Sequence, residues 1–168
     1  MGNSPWCSKK LRLQMNTERL NVNVSGKPSS GFNGSELTVK EVEAVVGFKL
    51  PQDYLDFINK VDGGHPEVGS FHPLESSSPN SFTVDWFYSF ANPDVENIKS
   101  AVKAWNGLLG EKTLPIGRDA GGNQIYLLVN KLVPSVWLFL HDENGRRVKL
   151  AESLEEFIAG LTINSDFI

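Results

Sequence analysis

The chain has 168 residues, a formal net charge of -4, 40% hydrophobic residues and one cysteine. This length and apolar content suit a single domain with one core, and the acidic balance argues against general affinity for nucleic acid phosphates. A lone Cys7 excludes an intrachain disulfide and a structural zinc site built on several thiolates.

The charge is unevenly placed. Lys9, Lys10, Arg12 and Arg19 against Glu18 leave the first twenty residues at about +3 and the remainder near -7. An acidic body of this kind suits a chain that meets a basic partner. The stretch "SPWCSKKLRLQM" is too polar for the apolar core of a signal peptide, and no run approaches the roughly 18 apolar residues of a membrane span. A reducing, cytoplasmic location without membrane attachment is therefore expected. Residues 1–36 are rich in Asn, Ser, Gly and Lys, and only "RLNVNV" (19–24) alternates. They read as an N-terminal segment, either flexible or adding an edge strand, ahead of one domain at 37–168.

In "LTVKEVEAVVG", Thr38 is placed to cap a helix with Glu41 reaching back, Leu37 and Val42 forming a staple and Gly47 ending it. In "LPQDYLDFINKVDGG", Pro51 opens a second helix, Tyr54, Leu55, Ile58 and Val61 share its apolar side, and Gly63 and Gly64 permit a left-handed exit. The period then changes to two. "SFTVDWFYSF" puts Phe82, Val84, Trp86, Tyr88 and Phe90 on one strand face, and Thr83, Asp85, Phe87 and Ser89 on the other. Trp86 is assigned to the core, and Asp85 and Phe87 to the opposite side.

A third helix is expected from Asn92 and Pro93, with Val95, Ile98, Val102, Trp105 and Leu109 at helical spacing. Strands follow at "TLPIG", "NQIYLLV", "SVWLFLHD" and near Val148, joined by "RDAGGN", a linker around Pro134 and "DENGRR". Ser153 and Glu156 form a capping box before a last helix bearing Leu154, Phe157, Ile158 and Leu161. These pieces predict an α+β domain, with a mainly antiparallel sheet of about five to six strands and helices packed against it.

Catalytic and metal signatures are missing from the pattern. His65, His72 and His141 are scattered, without carboxylates at ligand spacing on a helix. "DAGGN" lacks the Lys and Ser or Thr of a phosphate loop and precedes a strand, so it reads as a hairpin turn; the alternative is a loop presenting Arg118, Asp119 and Asn123 to a partner. No GxSxG elbow occurs, and adjacent carboxylates such as Asp142 and Glu143 diverge on a regular element. The sequence implies neither an enzyme nor a cofactor.

One feature exceeds the needs of a simple core. "SVWLFLHD" is apolar on both faces, with Val136, Leu138 and Leu140 against Trp137 and Phe139. "NQIYLLV" repeats this, with Ile125, Leu127 and Val129 against Tyr126 and Leu128. Either the N-terminal segment or a loop covers the second face, or that face is an aromatic surface for protein binding. It could equally pair two copies of the chain across a twofold axis. The candidate contact residues, chosen as exposed turn and strand-face positions, are Asp85, Phe87, Arg118, Asp119, Asn123, Tyr126, Trp137, Asp142 and Glu143.

The stretch "LTVKEVEAVVGFKLPQDYLDFINKVDGG", with Leu50, Pro51, Tyr54, Leu55, Phe57, Gly63 and Gly64, resembles the opening of the SUKH superfamily of Smi/Knr-like proteins. "LPIGRDAGGNQIYLLV", "VWLFLHDE" and "VKLAESLEEFIAGL" are similar to its second half, so the resemblance runs from about Leu37 to Leu161 in the same order. It implies an α+β fold and, for bacterial members, an immunity protein that neutralises a cognate toxin, a basic nuclease among the candidates. It equally admits a regulatory scaffold of the kind that serves cell-wall synthesis and signalling in eukaryotes.

Overall fold

The computed structural model describes residues 15–74 and 81–163. Cys7, Lys9, Lys10 and Arg12 lie outside the described residues. A 3-10 turn at Glu18–Leu20 leads into a hairpin, β1 (Val22–Val24) and β2 (Lys27–Pro28). The alternating stretch thus becomes a strand, at the centre of a small sheet between β2 and β3 (His65–Pro66). Leu20 and Val22 are buried in the main core.

Helix α1 (Glu36–Val46) begins two residues before the expected cap. Ser35 occupies the cap position without a side-chain bond, Glu41 turns outward to Lys99 at 2.9 Å, and Leu37 is 65% exposed. The staple does not form because Phe32 anchors the entry instead. Its N–H donates to the carbonyl of Ile58 at 2.7 Å, and its ring packs on Phe90 at 5.3 Å. Gly47 ends the helix at φ 83, as expected.

Helix α2 (Gln52–Lys60) starts after Pro51 and buries Tyr54, Phe57 and Ile58. The helix ends at Lys60 with Val61 extended at its C-cap, so the Gly-Gly pair expected to end it lies beyond it and makes a different contact. At φ 77, Gly63 lies so close to the chain at 87–89 that an added Cβ would meet the Phe87 carbonyl at 2.9 Å. Gly64 and Phe87 exchange backbone hydrogen bonds of 3.1 and 2.9 Å. Two glycines therefore let the end of α2 dock on the main sheet.

That sheet is an antiparallel meander of β4 (Ser70–Phe71), β5 (Phe82–Phe87), β6 (Thr113–Asp119), β7 (Gln124–Leu128), β8 (Ser135–Leu140) and β9 (Arg146–Ala151), in consecutive order. It curls until the chain just past its first strand reaches its last. Ser70 bridges Thr162, and the Leu74 N–H donates to the Lys149 carbonyl of β9 at 3.2 Å. Curling and this covering segment protect part of the β9 edge from further pairing. Helix α4 (Leu154–Gly160) closes the core, with Leu154, Phe157 and Ile158 buried. Half of its capping box forms as expected: Ser153 accepts from the Glu156 N–H at 3.1 Å, while the Glu156 carboxylate reaches past the cap residue to the Glu152 N–H at 2.9 Å. At its other end Arg19 donates to the carbonyls of Ile158 and Leu161, both at 2.7 Å, filling acceptors that a helix end leaves open.

Helix α3 (Ile98–Leu109) starts five residues later than Asn92 and Pro93 predict. Polar side chains hold 89–97 in turns: Ser89 accepts from the Ala91 and Asn92 amides, Asn92 from Asp94, and Asp62 from Phe90 and Ala91. Such local bonds compete with helix, and the helix begins only at Asn97, which accepts from the Lys99 N–H at 2.8 Å.

All three tyrosines of the chain are buried, and burial raises the hydroxyl of each above its ordinary range. Asp62 adds to this at Tyr54 and Glu96 at Tyr88, while Arg147 opposes it at Tyr126. A folded-state value above the unfolded one contributes stability that is complete below about pH 10 and is lost as pH rises beyond it. Ultraviolet titration is expected to show no tyrosinate near pH 10 in the native protein. All three hydroxyls should appear together when base unfolds it.

Candidate binding surface

The strand register sorts the sheet into two faces. On the inner face Phe87, Gly117, Ile125, Leu138 and Val148 lie opposite one another across five strands. On the outer face one row runs Trp86, Arg118, Gln124, Phe139 and Arg147, and the next runs Pro115, Tyr126, Trp137 and Lys149. The apolar residues seen on both sides of β7 and β8 thus face two separate clusters.

A register shift between Val84 and Trp86 reverses the expected assignment of β5. A bulge adds one residue, so strict alternation fails beyond it. Phe87, placed on the surface from its sequence, is fully buried at 0% exposure, with its ring edge-on to Phe57 at 5.0 Å. Trp86, placed in the core, is instead half-buried on the outer face, 6.4 Å from the His65 ring.

The outer face is partly roofed. Helix α3 places its first turns in the main core through Ile98, Ala101 and Val102, and its last turns over the outer face through Trp105 and Leu109. Trp105 meets the Phe139 ring edge-on at 6.2 Å. The cover is therefore a helix, neither the N-terminal segment nor a loop, and it is only partial. Under it Tyr126 is buried at 1% exposure, which corrects its reading as a contact residue. Trp137 stays half-buried, its Nε1 donating to the Ser135 hydroxyl at 2.9 Å. The guanidinium of Arg147 lies 5.7 Å from both the Tyr126 and Phe139 rings, and the Lys149 ammonium 5.9 Å from that of Trp137. Cations at these distances are attracted to the ring faces.

Beside Trp86, Arg118 bridges two carboxylates, Glu96 at 2.9 Å and Asp85 at 3.2 Å. Desolvation lowers its basicity, but the hydrogen bond it donates to Glu96 and the charges of Glu96 and Asp85 more than offset this, so the guanidinium is held more firmly protonated than usual. Asp85 also lies 4.0 Å from His65. Asp85 and Arg118 are thus brought together, largely satisfying one another.

The turn candidates are likewise engaged internally. Asp119 is buried at 6% exposure, which corrects its placement as a contact. Its carboxylate accepts from the Asn123 N–H and from Asn123 Nδ2, both at 2.8 Å. Asn123 in turn accepts through Oδ1 from the His141 N–H at 3.1 Å, with His141 Nδ1 at 2.8 Å. Asp142 is exposed and lies 3.1 Å from His141 Nε2, and Glu143 is exposed and pairs with Arg146 at 3.1 Å. Among the described residues no group of three or more His, Cys, Asp or Glu is arranged to hold a metal ion, and no helix is long and apolar enough to cross a membrane.

The residues missed from sequence are Trp105, Arg147 and Lys149. The two cations were legible, because "RRVKL" alternates them with Val148 and so puts both opposite the core. Trp105 was assigned to a helix side, but the sheet face it covers depends on where α3 starts.

Fold and surface together define an α+β sheet domain whose buried polar side chains largely satisfy one another, leaving ring surface and cations outward. The family model described as SMI1 / KNR4 family (SUKH-1) matches residues 34–160, and the chain belongs to this family. It is also similar, at 25% identity, to the SPbeta prophage-derived uncharacterized protein YokK of Bacillus subtilis (strain 168); the match covers 89% of this chain and 84% of that one.

Proposed function

We propose that this chain is a non-enzymatic, cytoplasmic binding domain that acts as an immunity protein, neutralising a cognate protein toxin by occupying part of its surface. The observation that carries this reading is the division of labour in the sheet. Asp119, Asn123, Arg118 and Gln124 are tied into internal bonds, whereas Trp137, Leu108 and Leu132 keep apolar surface outward on or beside a rigid scaffold. Rigid aromatic area binds with little loss of side-chain freedom. Likeness to a prophage-derived protein supports a bacterial setting in which genes move between competing cells.

The test is growth rescue. Each gene flanking that of this protein is expressed from an inducible promoter in a sensitive host, with and without this chain. The expected result is one toxic product whose effect disappears only when the chain is co-expressed. If no flanking product is toxic, or if toxicity persists with the chain abundant and folded, the immunity reading is wrong.

A further inference from the structure

The acidic body suggests a basic partner, but charge on the outer face runs the other way. At its far end, α3 stops at Leu109 and the loop between β7 and β8 begins after Leu128. Of the six large hydrophobics exposed among the described residues, Leu108, Leu132 and Val133 belong to this end, so apolar exposure is concentrated there. Leu108 is 59% and Leu132 99% exposed. Arg147 joins this end to the aromatic rows: its Nη2 donates to the Leu108 carbonyl at 2.9 Å while its guanidinium sits against two rings.

The cations here outnumber the acids that answer them. Lys149 pairs with Glu152 at 2.6 Å. Among the described residues, Arg147 and Lys131 have no carboxylate within ion-pair distance. Glu152 is already held below the usual carboxylate range, first by its bond to Lys149, with desolvation opposing, and then by the charges of Lys149 and Lys131. With Glu111 and Lys112 between α3 and β6 included, Lys112, Lys131, Arg147 and Lys149 stand against Glu111 and Glu152, so this end is locally positive in a chain of net charge -4.

We infer that this end of the outer face, built from Trp137, Leu108, Leu132, Lys131, Arg147 and Lys149, docks an acidic protein segment that carries an apolar anchor. A carboxylate reaching Arg147 or Lys131 gains an unopposed cation beside low-dielectric ring surface, and an apolar side chain covers Trp137. A basic segment would meet like charge. Nucleic acid fits less well, because few cations are present for counterion release and the cations already lie against the rings that bases would stack on. This inference rests on the protein-binding reading and refines it: the toxin is held on an acidic patch, away from any phosphate-binding cleft.

The test needs no identified toxin. A displayed library of random dodecapeptides is selected on the full chain, and winning peptides are titrated against wild type, Arg147→Glu, Lys131→Glu and Trp137→Ala, with a thermal melt of each variant. Acidic peptides containing at least one large apolar residue should be enriched. Each charge reversal should weaken them by tenfold or more, with the melt unchanged in Lys131→Glu and still a single cooperative transition, at a lower temperature, in Arg147→Glu, which also gives up the Leu108 carbonyl and two ring contacts. Enrichment of basic peptides, no enrichment, or acidic peptides insensitive to both reversals would overturn the inference. So would a single-stranded oligonucleotide that binds in a manner sensitive to both reversals and displaces the peptides. A flanking toxin neutralised equally well by wild type and both reversals would sink this docking site while leaving the immunity reading intact.

Discussion

Phe87→Ala is expected to lower the unfolding free energy by about 3–5 kcal/mol, the cost of emptying a large aromatic site in a close-packed core. The ring is fully buried, meets Phe57 edge-on at 5.0 Å, and lies opposite Gly117, whose added Cβ would stand 2.6 Å from the Trp86 carbonyl. Backbone packed this closely cannot collapse easily into the space left behind. Urea denaturation of the variant checks the figure. A loss within the roughly 0.5 kcal/mol typical of surface positions would restore Phe87 to the surface and remove the bulge from this account.

Asp119→Ala is expected to cost about 2–3 kcal/mol, because one carboxylate satisfies two donors of Asn123 and, through that residue, positions the amide of His141. Hydrogen bonds to a charged acceptor are worth more than neutral ones, and the donors left behind are only partly open to water. Asp119→Asn retains one acceptor and should lose about half as much. Hydrogen exchange at the His141 amide should accelerate in both variants. A fully stable Asp119→Ala with unchanged exchange would mean that the carboxylate does not organise this hairpin.

The elements were legible where a single periodicity governed them. Pro51, the apolar side of α2 and the Ser153 cap need only residue type and spacing, and each is present, whereas Gly63 and Gly64 lie beyond a helix that has already ended at Lys60. The cap at Thr38 failed because Phe32, tied to Ile58 across the fold, sets the entry to α1. The start of α3 failed because Ser89 and Asp62 hold the preceding amides, a competition invisible to helical spacing. On the candidate surface, two-sided β7 and β8 were readable from alternation, which put Trp137 on the face away from the main core. The exchange of Trp86 and Phe87 was not, since a bulge moves a side chain across the sheet without altering composition. Asp119 and Asn123 were drawn as contacts by their residue type, yet the same hydrogen-bonding capacity is spent inside the turn.

The central claim is that this protein works by occupying a partner and not by changing it chemically. The most direct measurement titrates the purified toxic product of a flanking gene with this chain and follows residual toxin activity. The account predicts a linear fall to zero at one equivalent, independent of incubation time. Complete loss at a small fraction of an equivalent, deepening with time, would show turnover and contradict it, as would undiminished activity at several equivalents.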